Sequence, residues 1–488
     1  MLVRTRFAPS PTGYLHIGGL RTALYSWLFA RKNHGQFILR IEDTDQKRET
    51  EGACKVIYDT LNLTGLTYDE GPDIGGAFGP YIQSERKEIY LEYAKKLIEK
   101  GAAYYCFCTK ERLDSLREGR KDGNTAYDKH CLNLPKEEVE RLLKEGVPYV
   151  IRQNIPNEGV YTYKDEVYGE VSVPLADLDD NILIKSDGFP TYNLANVIDD
   201  HLMAITHVIR GVEYLSSTPK YNLIYDALEW PKPMYIHLPP VMRDKNNKLS
   251  KRHGDASFKD FLDKGYLKEA IINYIALLGW SSGDEQEFFT LDELVEKFSI
   301  SGLNRSPAIF DIDKLKWMNA QYIRQLPPVE FLRLSTPYYV KVLPHNRFNF
   351  SLISRLIQPR LETMTEIYDK LEFLMEFSEY DMELFVSKKM KTTPKDCLPF
   401  LTSSLKVLEK LNDYSEEGIK DVLLKLAEEL GIKSGKLLGP LRTAVTGVPV
   451  TPGGAIEVIC LLGKEESLRR LKISIDLLKK YLSTGEDK

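Results

Sequence analysis

Cysteine is scarce in this chain, six residues in 488, too few and too scattered for a disulfide framework. Cys54, Cys397 and Cys460 stand alone and read as buried apolar fillers, while Cys106, Cys108 and Cys131 cluster. Long hydrophobic runs are missing as well. No segment approaches the roughly 18 apolar residues of a spanning helix, and the opening Met1-Leu-Val-Arg4-Thr-Arg6 lacks the apolar core of a secretory signal. The expectation is a soluble, cytoplasmic protein with no membrane partner. Nor is there an excess of positive charge: 66 Lys and Arg face 71 Asp and Glu, a formal net charge of -5. Any nucleic-acid contact must then come from local basic patches. There is no internal repeat and no low-complexity tail.

What the chain does have is an order of elements. A chain this long exceeds one hydrophobic core and should divide into about three to five units. Residues 4–8 alternate polar and apolar side chains as a strand does, residues 9–15 carry turn chemistry, and residues 19–32 repeat apolar side chains at helical spacing. An apolar-cored strand (35–41), a helix through Thr60, a Gly- and Pro-rich loop (68–83) and a helix (84–100) follow. This β-α-β-α order implies a parallel sheet with ligands at the carboxyl ends of its strands, where Glu42 and Asp45 fall. Composition changes over residues 102–187, which read as an insertion. The sheet is expected to resume at 189–197 and to continue through 206–209 and a strand over 234–242. Beyond Leu326-Pro-Pro, helical periodicity runs to Leu482, interrupted at Gly431, Gly435 and 446–454.

Two loops carry the chemistry. His16-Ile-Gly18-Gly19 opens the first helix, where unpaired backbone N–H groups can receive a phosphate and a side chain at either glycine would block a nucleotide. Far downstream, Lys248-Leu-Ser250-Lys251-Arg252 forms a basic loop that can close on the β- and γ-phosphates as charge moves onto a leaving group. Each alone is a weak signal: a helix cap, or a solvated basic turn. Together they resemble the paired signature of class I aminoacyl-tRNA synthetases. Arg6-Phe-Ala8-Pro-Ser10-Pro-Thr-Gly13, Arg40-Ile-Glu42-Asp-Thr-Asp45, Phe189-Pro-Thr-Tyr192-Asn-Leu-Ala-Asn196-Val-Ile-Asp-Asp-His201 and Val208-Ile-Arg210-Gly-Val-Glu213 narrow the resemblance to bacterial glutamyl-tRNA synthetases, along essentially the whole chain.

That resemblance implies an α/β fold: a Rossmann-like catalytic domain in two halves (1–100 and 188–252), an inserted acceptor-binding domain (101–187), a stem-contact helical domain (253–325) and an all-α anticodon-binding region (326–488). It also implies a monomer that uses ATP, Mg2+, glutamate and tRNA(Glu). ATP would meet His16, Gly18, Gly19, Lys248, Ser250 and Lys251, with His16, Lys248 and Lys251 catalytic. Glutamate would meet Arg6, Ala8, Ser10, Glu42, Tyr192, Asn196, Arg210 and Glu213. A bidentate guanidinium at Arg210 matches a carboxylate and offers an amide no acceptor, so glutamate should be preferred to glutamine. Scaffold alternatives stay open: Arg210 paired with Asp199 or Glu213, and Glu42 capping a helix or paired with Arg40. Cys106, Cys108 and Cys131 supply three thiolates for a structural Zn2+. By resemblance Tyr127 is the fourth ligand, with His130 the chemical alternative. In the helical region the resemblance singles out Arg360, Arg442 and Thr451 for anticodon contact.

Overall fold

The computed structural model describes residues 2–45, 50, 52–118, 127–249, 257–344 and 347–483. Two compact units emerge, Met1–Leu262 with Ile271–Ile312, and Asp263–Ala270 with Asp313–Lys488.

The first unit starts with β1 (Arg4–Phe7), α1 (Ile17–Lys32) and β2 (Gln36–Leu39), the two strands parallel with Arg4 opposite Gln36. Alternation in β1 ordinarily marks a half-buried strand, yet all four residues are buried. Thr5 Oγ1 donates to the Ser26 carbonyl, while Arg4 and Arg6 are consumed by ion pairs with Glu70 and Asp200. Next come α2 (Ala53–Thr64), α3 (Lys87–Glu99), β3 (Ala103–Cys106), α4 (Lys110–Glu118), α5 (Lys136–Lys144), β4 (Val150–Gln153), β5 (Val160–Asp165), β6 (Gly169–Pro174) and β7 (Ile182–Ile184). Strands β3, β4 and β7 make one antiparallel sheet. The chain continues as α6 (Tyr192–Leu202), β8 (His207–Gly211), α7 (Thr218–Ala227), β9 (Met234–Leu238) and β10 (Val241–Met242). β8 and β9 are parallel, and β1 lies beside the entry to β8, with the Thr206 amide donating to the Arg4 carbonyl at 2.9 Å. The two parallel pairs thus meet at β1 and β8, where connections diverge and a crevice opens beyond the carboxyl ends.

Three expectations for the strands are corrected. Residues 192–197 are helical rather than extended, because Leu194, Ala195, Val197 and Ile198 bury themselves at helical spacing in α6. The strand expected over 234–242 breaks at Pro239-Pro240, where two residues lack the N–H a ladder needs. And the β5–β6 hairpin of the expected insertion joins the sheet of the second half, in the order β6-β5-β9-β8, with Asp165 opposite Tyr235.

The chain continues as α8 (Phe258–Asp263) and α9 (Lys268–Ala276), of which residues 263–270 count with the second unit, and the first unit ends with α10 (Leu291–Lys297) and β11 (Ala308–Ile309), the last parallel to β10. The second is built of α11 (Ile312–Gln325), α12 (Pro328–Val342), α13 (Phe350–Ile357), α14 (Ile367–Met375), α15 (Pro394–Lys410), α16 (Glu416–Glu429), α17 (Ser434–Thr446) and α18 (Ala455–Ser483). Its boundary falls at 312/313 instead of 325/326, because Ile323 of α11 is buried in one core with Phe331 and Ile357. Gly435, expected to interrupt a helix, lies inside α17. No described helix is long and apolar enough to cross a membrane.

Candidate active site

His16 is the N-cap of α1: its Nδ1 accepts from the Gly18 amide at 3.0 Å. A Cβ added at Gly18 or Gly19 would meet its nearest neighbour at 3.4 Å, ordinary contact, so packing within the protein does not demand glycine at either position. Arg21, one turn on, is buried and donates to the carbonyls of Leu278 and Pro239. Lys248 is exposed on a hairpin whose turn is closed by the Arg243 amide and the Asn247 carbonyl, and it bridges back to Met242. Ser250 and Lys251 lie outside the described residues.

At the carboxyl ends of β1 and β2 a cleft of about 380 Å³ opens, lined by Ser10, Glu42 and Tyr192 of the expected set, and by Asp45, Gln83 and Lys185. Sequence reasoning missed Lys185, which donates to the Thr44 carbonyl at 3.1 Å; a lone lysine after a short strand carries no signal. Beneath the cleft, Asp200 takes Arg6 Nε at 3.0 Å and Arg40 Nη1 at 2.7 Å, and Arg40 Nη2 reaches Glu42 at 3.0 Å. The scaffold pairing of Glu42 with Arg40 is therefore real. Burial pushes the Glu42 carboxyl up, against the pull of Arg40 and Arg6. Burial would also raise Asp200, but Arg6 and Arg40 hold it below its ordinary value. Arg40 and Asp200 sit inside the motifs above, yet their pairing spans 160 residues and shows only in three dimensions.

Arg210, the penultimate residue of β8, is buried without an ion pair among the described residues, so neither of its scaffold alternatives holds. Asp199 instead pairs with Arg86 at 2.8 Å, and the exposed Glu213 folds over Gly211. The guanidinium is held by neutral groups: Nε donates to His237 Nε2 at 3.1 Å, Nη2 to Thr218 Oγ1 at 2.8 Å and Nη1 toward Tyr192 Oη at 3.5 Å. Tyr214, Tyr221 and Tyr235 ring it at 4.8–5.4 Å. Asn196 is buried on the same helix as Tyr192 and donates to its carbonyl; Ala8 is half-buried.

The sulfurs of Cys106, Cys108 and Cys131 lie within 4.8 Å of one another. Tyr127 Oη joins them, 3.4 Å from Cys106 Sγ and 3.2 Å from Cys108 Sγ, whereas His130 is exposed and outside the cluster. Arg152 donates to Cys106 Sγ at 3.3 Å and Arg112 to Cys108 Sγ at 3.5 Å. Hydrogen bonding to Cys131, Tyr127 and Arg152 drives the Cys106 thiol well below its usual range despite burial.

In the helical unit Arg360 and Thr451 line one cleft of about 460 Å³. Arg442 braces it, donating to Thr451 Oγ1 at 3.3 Å and to the Pro449 carbonyl at 2.7 Å. Three residues spread over some ninety positions are thus brought to one place.

Comparison with known proteins agrees with both units. Residues 2–317 match the family described as tRNA synthetases class I (E and Q), catalytic domain, and residues 317–475 match an anticodon binding domain. The chain is 56% identical over 483 residues to a glutamate–tRNA ligase of Clostridium tetani, covering 99% of each, and 57% identical over 479 residues to that of Clostridium botulinum, covering 98% of this chain and 99% of the relative. A solved glutamate–tRNA synthetase from Elizabethkingia anophelis superposes with a TM-score of 0.90 at 36% identity, covering 98% of this chain and all of that one. With a parallel sheet ending in a charged cleft, a helical second unit, and relatives this similar over full length, the chain belongs to the glutamate–tRNA ligases of the class I tRNA synthetase family.

Proposed function

We propose that this chain activates glutamate with ATP and loads it onto tRNA(Glu). The α-carboxylate of glutamate attacks the α-phosphate, giving glutamyl-adenylate and pyrophosphate; a ribose hydroxyl of the tRNA's terminal adenosine then takes the glutamyl group and AMP leaves. No side-chain nucleophile is needed, so the protein acts through positioning and charge. Arg210 carries the reading: beside the cleft, a buried guanidinium with no carboxylate of its own among the described residues, suited to the side-chain carboxylate of glutamate. Glu42, held by Arg40 at the cleft wall, suits the α-ammonium, and Arg6, Ala8, Ser10, Tyr192, Asn196 and Glu213 would complete the glutamate site.

His16, Gly18 and Gly19 at the start of α1 would take the nucleotide, and Lys248, Ser250 and Lys251 its leaving phosphates. Mg2+, when bound to the nucleotide, shares the phosphate charge. Cys106, Cys108, Cys131 and Tyr127 fit a tetrahedral structural Zn2+, a soft sulfur set closed by one oxygen donor. Residues 101–187 would meet the tRNA acceptor end, 253–325 its stem, and Arg360, Arg442 and Thr451 the anticodon. We expect a cytoplasmic monomer.

ATP–pyrophosphate exchange tests the proposal, with glutamate or glutamine, with and without tRNA. Exchange with glutamate and tRNA together is the expected result; exchange with glutamine would overturn the role of Arg210.

A further inference from the structure

Asp165 and His237 belong to none of the motifs, and neither lines the cleft. Both side chains are completely buried. They are neighbours because β5 joins the sheet beside β9, where Asp165 faces Tyr235. His237 Nδ1 lies 2.7 Å from Asp165 Oδ2, and His237 Nε2 lies 3.1 Å from Arg210 Nε. A carboxylate accepts and a guanidinium only donates, so the imidazole is neutral, with its proton on Nδ1 and a lone pair on Nε2 facing Arg210. Thr218 Oγ1, 3.4 Å from the same Nε2, accepts the next guanidinium nitrogen and donates to the Tyr214 carbonyl.

We infer that Asp165 and His237 are positioning residues that aim Arg210 at the substrate's side-chain carboxylate. The inference rests on the reading of Arg210 given above. A carboxylate set directly against Arg210 would compete with the ligand for its N–H groups. An imidazole acceptor orients the guanidinium through Nε alone, leaving the Nη1 edge toward Tyr192, while the compensating negative charge stays one ring further away.

Asp165 is suited to this role because all four of its acceptor positions face N–H groups. Oδ1 accepts from the amides of Val167 at 2.9 Å and Tyr168 at 2.8 Å, and Oδ2 accepts from the His237 amide at 3.1 Å as well as from its ring. An asparagine must turn its NH2 toward one of these pairs. Facing His237, it moves the ring proton to Nε2 and sets it against Arg210 Nε–H.

The test is steady-state kinetics on the full chain with tRNA, comparing Arg210→Ala, Asp165→Asn, His237→Asn and His237→Gln. Asn at 237 keeps the donor toward Asp165 and loses the acceptor toward Arg210; Gln presents a carbonyl where Nε2 stood. Asp165→Asn and His237→Asn are expected to raise KM for glutamate about 10- to 100-fold, the range of one charged hydrogen bond, with kcat within about threefold and KM for ATP unchanged. His237→Gln recovers most of that loss, and glutamate-over-glutamine preference falls and recovers in parallel. If Arg210→Ala leaves KM for glutamate unchanged, the reading of Arg210 itself fails. If Arg210→Ala raises it while His237→Asn does not, or if His237→Asn and His237→Gln are equally impaired in every parameter, the positioning role is overturned and the pair is a brace. Should Asp165→Asn not fold, the two His237 variants decide the matter.

Discussion

Arg40 and Arg210 are both cut off from water in the same unit, and they are neutralised in opposite ways. Arg40 faces Asp200 at 2.7 Å, Glu42 at 3.0 Å and Asp199 at 3.8 Å. Arg210 faces an imidazole, a hydroxyl and tyrosine rings, with no carboxylate among the described residues. A buried cation with three anions is finished structure. One whose direct partners are neutral acceptors and π faces, with the nearest compensating charge held one imidazole away at Asp165, is suited to receive a ligand's carboxylate, as proposed above. Burial by itself does not separate the two; the sign of what surrounds each does.

The comparison breaks hardest at Asp200. Asp200→Asn keeps the shape but leaves Arg6 and Arg40 sharing what remains of the negative charge, and the stability loss should be roughly 3–5 kcal/mol, the cost of stranding a buried charge. Urea unfolding of the variant checks it; a midpoint unchanged from the parent would mean the cluster is not a stability element. Arg210→Gln should do the reverse. Stability stays close to the parent's, since Arg210 has no direct ion pair to break among the described residues and Asp165 keeps its amide and ring N–H donors, while kcat/KM for glutamate falls by about two to three decades. A variant that loses stability and catalysis together would erase the distinction between the two arginines.

How far such a distinction can be read from the chain alone depends on the range of the interactions. The strand–loop–helix around His16 and the parallel pairing of β1 with β2 follow from local periodicity and from β-α-β order. The cysteine cluster was legible because Cys-X-Cys is a local pattern with Cys131 not far beyond it, whereas Tyr127 was singled out only by the resemblance. Residues 189–197 misled because the helical stripe of Leu194, Val197 and Ile198 only starts there and runs on beyond the segment. What set Arg210 apart was invisible. His237 is one histidine in an apolar strand, Asp165 lies 72 residues away, and only the unexpected placement of β5 beside β9 brings them together. Asp199 and Glu213, nearer in sequence to Arg210, were the reasonable partners and proved to be occupied elsewhere or turned aside.

Arg470, in the helical unit, sharpens the comparison as an intermediate case. It is fully buried, donates to the carbonyls of Phe373, Val445 and Leu374, and meets one carboxylate, Glu466, at 2.7 Å. Arg469 first, and then Arg470, hold Glu466 down to about 2 against its burial. A carboxyl depressed on folding stabilises the native state above its unfolded pKa, near the usual 4.5, and that contribution disappears as pH falls toward 2. Glu466→Gln should therefore cost about 1–2 kcal/mol at pH 7, less than Asp200→Asn because backbone carbonyls still hold the guanidinium. The gap between parent and variant should shrink through pH 4 and close near pH 2, read as converging unfolding midpoints. A gap that stayed constant with pH would mean that Glu466 acts through shape, and that three carbonyls alone suffice to keep Arg470 buried.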